Sequence, residues 1–272
     1  MADLLDFSAQ TVVMTGAATG IGYETSRLLL DAGAEVHALD VAEVSLPVAA
    51  AHRCDLADPA AIDAVLDVLP GSVDVLVNCA GIPNGSHWSA IDIMRVNFLG
   101  LRHLTEALVD RMTTGAAITN VASIAGNGWP AHAAELAELM GTDFAGGEDW
   151  CRSHEELLGD GYFVSKEAVR YYTLWRSVQL VKSGTRVNSI SPGVTDTKIM
   201  ADFRAGLGDA AIDMTAGSGI GRLARPEEMA PAILFLSHPQ TASYINGSNL
   251  IIDGGFSAAS DTGQVDFAKY FG

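Results

Sequence analysis

The chain has 272 residues, 49% hydrophobic and only 18% charged, which suits one large domain with a substantial core and excludes a disordered protein. Its formal net charge of −17 argues against nucleic acid or an anionic membrane surface as a partner. The three cysteines show neither metal-like nor disulfide-like spacing, which fits a reducing compartment.

The opening "MADLLDFSAQ" lacks the basic end and apolar run of a signal peptide, and no later stretch reaches the ~20 apolar residues of a membrane span, so a cytoplasmic protein is expected. "TVVMT" (11–15) is a short apolar run ending in a glycine turn and reads as a buried strand. A helical pattern follows from Ile21 to Ala32, stopped by Gly33. "EVHALD" (35–40) reads as a second strand and "AHRCD" (51–55) as a third. Asp58 as N-cap, Pro59 behind it and the Pro-Gly stop at 70–71 mark the next helix. "VDVLVN" (73–78) is a fourth strand, and a long helix is expected from Ile91 to Arg111. "AAITNVAS" (116–123) and "TRVNSIS" (185–191) are further strands, with a helix opening at Tyr162 between them. "RPEEMAPAILFLS" carries Pro and acids in its first turn, as a helix should, and "NLIID" (249–253) closes the series. This alternation predicts an α/β fold: a single-domain, Rossmann-type, doubly wound parallel sheet of about seven strands. Such a sheet binds ligands beyond the carboxyl ends of its strands, at the switch point.

The first of those ends carries "TGAATGIG". Gly16, Gly20 and Gly22 let the backbone turn tightly and let a pyrophosphate approach, while the helix entered through Thr19 and Ile21 offers unpaired N–H groups to it. Asp40 ends the second strand, where an acid accepts hydrogen bonds from the hydroxyls of an adenosine ribose. A 2′-phosphate would meet that carboxylate, and the neighbours Ala17, Ala18, Val41 and Ala42 supply no cation, so NAD is expected over NADP. In "GYFVSKEAVRYY" Lys166 follows Tyr162 by one helical turn, on the same face. An ammonium there would pull the phenol below its usual value of about 10 and make it an acid or base at neutral pH. The plain alternative is a surface helix whose Tyr packs sideways while Lys extends into solvent. His52, His87 and His103 lack ligand spacing, and no metal is expected.

The sequence resembles the short-chain dehydrogenase/reductase family over essentially its whole length. The resemblance rests on "TGAATGIG", Asp40, "CDL" (54–56), "NCAG" (78–81), Asn97 in "RVNF", Ser123 in "VASIAG", Tyr162 with Lys166, "SPGVTDT" (191–197) and "LIIDGG" (250–255). It implies a catalytic tetrad of Asn97, Ser123, Tyr162 and Lys166, with Asn97 binding a water in a proton path. It further implies Asp55 and Leu56 near the adenine, and Asn78, Ala80 and Gly81 bracing the cofactor floor. Pro192, Gly193, Val194, Thr195 and Thr197 would then lie along the nicotinamide and its carboxamide.

The sequence departs from the family pattern in three places. Cys79 replaces the usual second Asn of "NNAG", the stretches 40–55 and 81–97 look short, and Ser123 and Tyr162 lie much farther apart than usual. The short stretches imply a trimmed helix and a trimmed loop. The extra segment, 129–160, is acidic and rich in Ala and Leu, so it is expected to be helical and to help shape the substrate pocket. The combination is similar to the subgroup of bacterial 3α-hydroxysteroid dehydrogenase/carbonyl reductases and coniferyl-alcohol dehydrogenases. Trp129, Trp150, Met200, Phe203 and Met214 are candidates for an apolar pocket wall, Tyr171 and Trp175 for core or interface, and 195–225 for a closing lid. The expected function is hydride transfer between NAD(H) and the hydroxyl or carbonyl of an apolar small molecule, an aromatic alcohol or a hydroxysteroid. The alternatives are a ketoacyl-type reductase, disfavoured by Asp40 and the net charge, an extended-type epimerase, for which the carboxyl-terminal region is short, and a catalytically silent NAD-sensing protein. The resemblance implies a homodimer or homotetramer paired through the helices near Asn97 and Tyr162, an interface that the insertion would change or block.

Overall fold

A computed structural model describes residues 5–85 and 87–271. Seven strands, β1 (Thr11–Thr15), β2 (Glu35–Asp40), β3 (Ala50–Arg53), β4 (Val73–Asn78), β5 (Met112–Val121), β6 (Arg186–Pro192) and β7 (Asn249–Ile252), form one sheet in the order β3-β2-β1-β4-β5-β6-β7. Every neighbouring pair is parallel. Parallel strands are covered on both faces, and the sequence shows it. Val12 and Met14 enter one apolar cluster with Leu29, Ile233 and Leu234, while Val13 between them enters another with Leu39, Ile62 and Leu104. The first cluster is closed by helices α1 (Gly20–Asp31) and α11 (Pro226–Ser237), and the second by α2 (Pro59–Leu66), α4 (Gly100–Leu108) and α8 (Tyr162–Leu180).

The remaining helices are α3 (Ala90–Met94), α5 (Ala133–Met140), α6 (Phe144–Ser153), α7 (Glu155–Leu158), α9 (Met200–Leu207), α10 (Asp209–Ser218), α12 (Phe256–Asp261) and α13 (Phe267–Phe271). Two expectations change. The long helix from Ile91 opens into a π turn over Arg95–Leu99 before α4 resumes, and it ends in a 3-10 turn at Val109–Arg111. Between β2 and β3 the helix is not merely trimmed; residues 41–49 contain none.

The segment 129–160 is helical, as its composition suggests, and it has its own apolar centre. Leu136, Leu139, Phe144, Trp150 and Cys151 are buried against Phe98, Leu99 and α8 residues Val164, Ala168 and Tyr172. Arg102, itself buried, donates from its guanidinium to the carbonyls of Leu139 and Asp143 at 2.6 and 2.8 Å, tying α5 and α6 to α4. Among the described residues, no helix is long and apolar enough to cross a membrane.

Candidate active site

Strand order reverses between β1 and β4, and there a cleft of about 1040 Å³ runs along the carboxyl ends of the strands. Thr15 Oγ1 accepts from the backbone N–H groups of Cys79 and Ala80 at 3.0 and 3.2 Å, which joins the two strands below the turn. Gly16 has φ +74°, and a Cβ there would lie 2.7 Å from Ala80 N. A Cβ on Gly22 would collide with the Gly16 carbonyl, so neither position accommodates a side chain. The turn into α1, Gly16, Thr19, Gly20, Ile21 and Gly22, lines the cleft, with no side chain at its three glycines. Asp40 lines it as well, with Oδ2 accepting from Ala18 N and Oδ1 from Ala42 N, both at 2.9 Å. Backbone amides at a helix start beside a fixed carboxylate are what a dinucleotide's pyrophosphate and ribose require, so the residues present fit that group.

Arg53, however, is the register partner of Asp40 across β2 and β3, and it also lines the cleft. The chain neighbours of Asp40 carry no cation, but the neighbouring strand does. Asp55, Leu56, Ala80, Gly81, Pro192, Gly193, Val194, Thr195 and Thr197 all stand on the cleft wall. Asn78 does not. Its side chain is 1% exposed, and Nδ2 donates to Thr105 Oγ1 and Asn120 Oδ1 at 3.0 and 2.9 Å. It is the last residue of β4 and points to the face that α4 and α8 cover.

Gly161, at φ +86°, lets the chain turn into α8 at a point where a Cβ would lie 2.5 Å from the Ala90 carbonyl. That turn places Tyr162 and Lys166 on the cleft wall opposite Ser123, whose Oγ caps the turn after β5 by accepting from Ala125 N at 3.1 Å. Lys166 Nζ donates to the Val121 carbonyl at 3.2 Å and lies 5.9 Å from the centre of the Tyr162 ring. Burial pushes the Tyr162 hydroxyl up to about 12, a hydrogen bond with Ser123 opposes the rise, and the Asp160 carboxylate adds to it. Burial also brings Lys166 down to about 8, against a smaller opposing pull from Cys79. Lys166 is not among the groups that shift Tyr162 in the protein alone; burial, which costs the phenolate its water, sets the direction.

Asn97 sits behind the wall. Its Oδ1 accepts from Ile82 N at 2.8 Å, and Nδ2 donates to the Ile82 carbonyl and to Ser165 Oγ at 3.0 and 3.1 Å. Of its side chain, only the second Oδ1 lone pair remains for the expected water.

A family model described as short chain dehydrogenase matches residues 10–134, and one described as enoyl-(acyl carrier protein) reductase matches residues 153–257. The chain is 33% identical to the coniferyl-alcohol dehydrogenase of Pseudomonas sp. (strain HR199 / DSM 7063), covering 93% of this chain and 99% of that one. The chain belongs to the short-chain dehydrogenase family. This short-chain dehydrogenase is also 31% identical to the 3-alpha-hydroxysteroid dehydrogenase/carbonyl reductase of Comamonas testosteroni, over 91% of this chain and 96% of the other. Among solved structures, the 3-alpha-hydroxysteroid dehydrogenase from Pseudomonas sp. B-0831 complexed with NADH superposes with a TM-score of 0.76 at 30% identity, covering 93% of this chain and 99% of that one.

The outer end of the dehydrogenase's cleft is apolar. Met200, Phe203 and Met214 line it, while Trp129 and Trp150 do not. Trp129 packs edge-on against Tyr171 at 5.8 Å, and Trp150 stacks on His154 at 4.3 Å inside the insertion. No residue of 129–160 is on the cleft wall among the described residues; the insertion packs behind α8, and its last residue, Asp160, accepts from Tyr162 N at 2.9 Å. The sequence reading missed Trp88 and Phe163, which are 48% and 46% exposed on the rim. A signal for Trp88 was present: it directly precedes Ser89, whose capping box with Asp92 starts α3.

Proposed function

We propose that this chain is an NAD(H)-dependent dehydrogenase that interconverts the hydroxyl and carbonyl of an apolar substrate, an aromatic alcohol such as coniferyl alcohol or a hydroxysteroid. One observation carries the reading: Ser123, Tyr162 and Lys166 meet midway along a cleft whose one end is a phosphate-type turn with Asp40 and whose other end is apolar. NAD(H), when bound, would supply the hydride acceptor or donor for the reacting carbon and, oxidised, a positive charge in the cleft. In oxidation Tyr162 Oη receives the proton of the substrate hydroxyl, and in reduction it gives one to the carbonyl oxygen. Ser123 Oγ holds that oxygen as charge develops on it. Lys166 binds the cofactor's ribose and keeps a cation near the phenol, and Asn97 fixes the loop at Ile82 on which the site rests. Thr19, Asp55, Leu56, Thr195 and Thr197 complete the cofactor's walls, and α9 with α10 forms a lid over the substrate end.

Similarity to named hydroxysteroid and coniferyl-alcohol dehydrogenases supports the substrate class. The protein acts in the cytoplasm as a homodimer or homotetramer, and the insertion covers part of the α8 face that the family uses for pairing. The test is turnover of aromatic, terpenoid and steroid alcohols with NAD⁺ and NADP⁺, followed by the absorbance of the reduced nicotinamide, beside light scattering for the assembly. Tyr162→Phe should lose roughly a hundredfold or more in turnover with NADH binding preserved. A Tyr162→Phe enzyme as fast as its parent would remove the mechanism, and equal use of both cofactors would remove the role given to Asp40.

A further inference from the structure

Tyr162 is reached from the lid along two routes. The direct one is Phe203 of α9, whose ring meets the Tyr162 ring edge-on at 5.0 Å. The second passes through a polar pair, buried Asn84 and exposed Asp160. Asn84, 2% exposed, lies under α9, where a Cβ on Gly206 would come 3.1 Å from its amide. Its Nδ2 donates to Asp160 Oδ2 at 2.9 Å, and Asp160 Oδ1 accepts from Tyr162 N at the same distance. The loop bearing Asn84 is in turn clamped at Ile82 by Asn97.

We propose that Asp160 is a positioning residue that couples closure of the lid to the catalytic tyrosine, with one carboxylate oxygen on the tyrosine's backbone and the other on Asn84. This inference rests on the role given to Tyr162 above. Asp160 Oδ1 fixes the start of α8, and with it the height of the phenol in the cleft. Asp160 Oδ2 holds the Asn84 amide, so movement of α9 over Asn84 is felt at the first residue of α8. The same carboxylate places a negative charge near the phenol and opposes its ionisation. The charged groups around Tyr162 are Asp160 from the preceding loop and Lys166 from its own helix; the turn after β5 brings the neutral hydroxyl of Ser123, and α9 brings the uncharged Phe203.

The substitution Asp160→Asn separates charge from shape. The new amide keeps a carbonyl oxygen for Tyr162 N and turns an N–H toward Asn84. Asn84 Oδ1 has no partner among the described residues and can accept that N–H after an amide flip. The readout is the ionisation of Tyr162, measured as the ultraviolet tyrosinate titration of each protein minus that of its Tyr162→Phe derivative. The Asp160→Asn midpoint should move to lower pH by roughly half a unit or more, because a like charge has been removed. With an alcohol substrate the acid limb of kcat should move the same way, since oxidation needs the phenolate. Asn84→Ala keeps the charge and cuts the tether; substrate KM should rise several-fold while the tyrosinate midpoint stays in place. An Asp160→Asn titration that superimposes on the parent's would overturn the proposal, as would an Asn84→Ala enzyme of unchanged KM. Absence of any turnover would instead count against the assigned reaction, and the titration would still be read.

Discussion

The insertion and the lid are both helical additions that follow the carboxyl end of a strand, the first after β5 and the second after β6, yet they are built differently. The insertion buries Leu136, Leu139, Met140, Phe144, Trp150 and Cys151 in its own protein. The lid helices α9 and α10 bury only Met200 and Ile212 among their described residues, and they turn Phe203, Leu207 and Met214 toward the cleft. An apolar side chain already packed has no free energy left to give a ligand, whereas one that waits on a cleft wall gains its burial only when the cleft fills. On the proposed function, the apolar body of the insertion is frame, and α9 with α10, the proposed lid, is instrument.

The sharpest way to break that contrast is Trp150→Ala. Removing an indole that is 6% exposed leaves a cavity and should cost about 3–5 kcal/mol in denaturant unfolding, with KM of the folded protein within about twofold of the parent. A tenfold change in KM at full stability would show that the insertion belongs to the pocket after all. Phe203→Ala is the converse experiment. It should change stability by less than about 1 kcal/mol and raise substrate KM about tenfold, which corresponds to roughly 1.4 kcal/mol of lost contact. A Phe203→Ala enzyme with normal KM and a lowered melting temperature would make the lid a structural element and collapse the distinction.

The same contrast governs what could be read in the sequence. Strands and the phosphate turn were legible because their signals are local: an apolar run between Thr11 and Thr15, then glycines that no side chain could replace at Gly16 and Gly22. What depends on neighbours in space was not. Arg53 stands beside Asp40 in the strand register, and no spacing along the chain announces it. Asn78 carries the family pattern, but the two-residue period of β4 sends its side chain into the core, a point the alternation from Val77 would have disclosed. Trp129 and Trp150 look like pocket aromatics by type, and only packing reveals that they serve the insertion. The helical spacing of Tyr162 and Lys166 brought them to one face, but it could not weigh burial against charge, and burial dominates both.

The smallest expected effect concerns how the lid holds its own shape. Arg204 on α9 donates to Asp209 at 2.7 Å and to Asp213 at 3.2 Å on α10, across Gly208, so the two helices are joined by an exposed pair of ion contacts. Such pairs are screened by salt and contribute little to global stability. They can still bias how often α9 and α10 move together, because few buried side chains compete with them there. Arg204→Gln should leave the unfolding midpoint almost unchanged and raise substrate KM about twofold at low ionic strength. In high salt the parent should approach the variant, since screening removes from the parent what the substitution removes outright. If the two differ equally at both ionic strengths, Arg204 acts through packing rather than charge, and the lid shares more of the insertion's character than its exposure suggests.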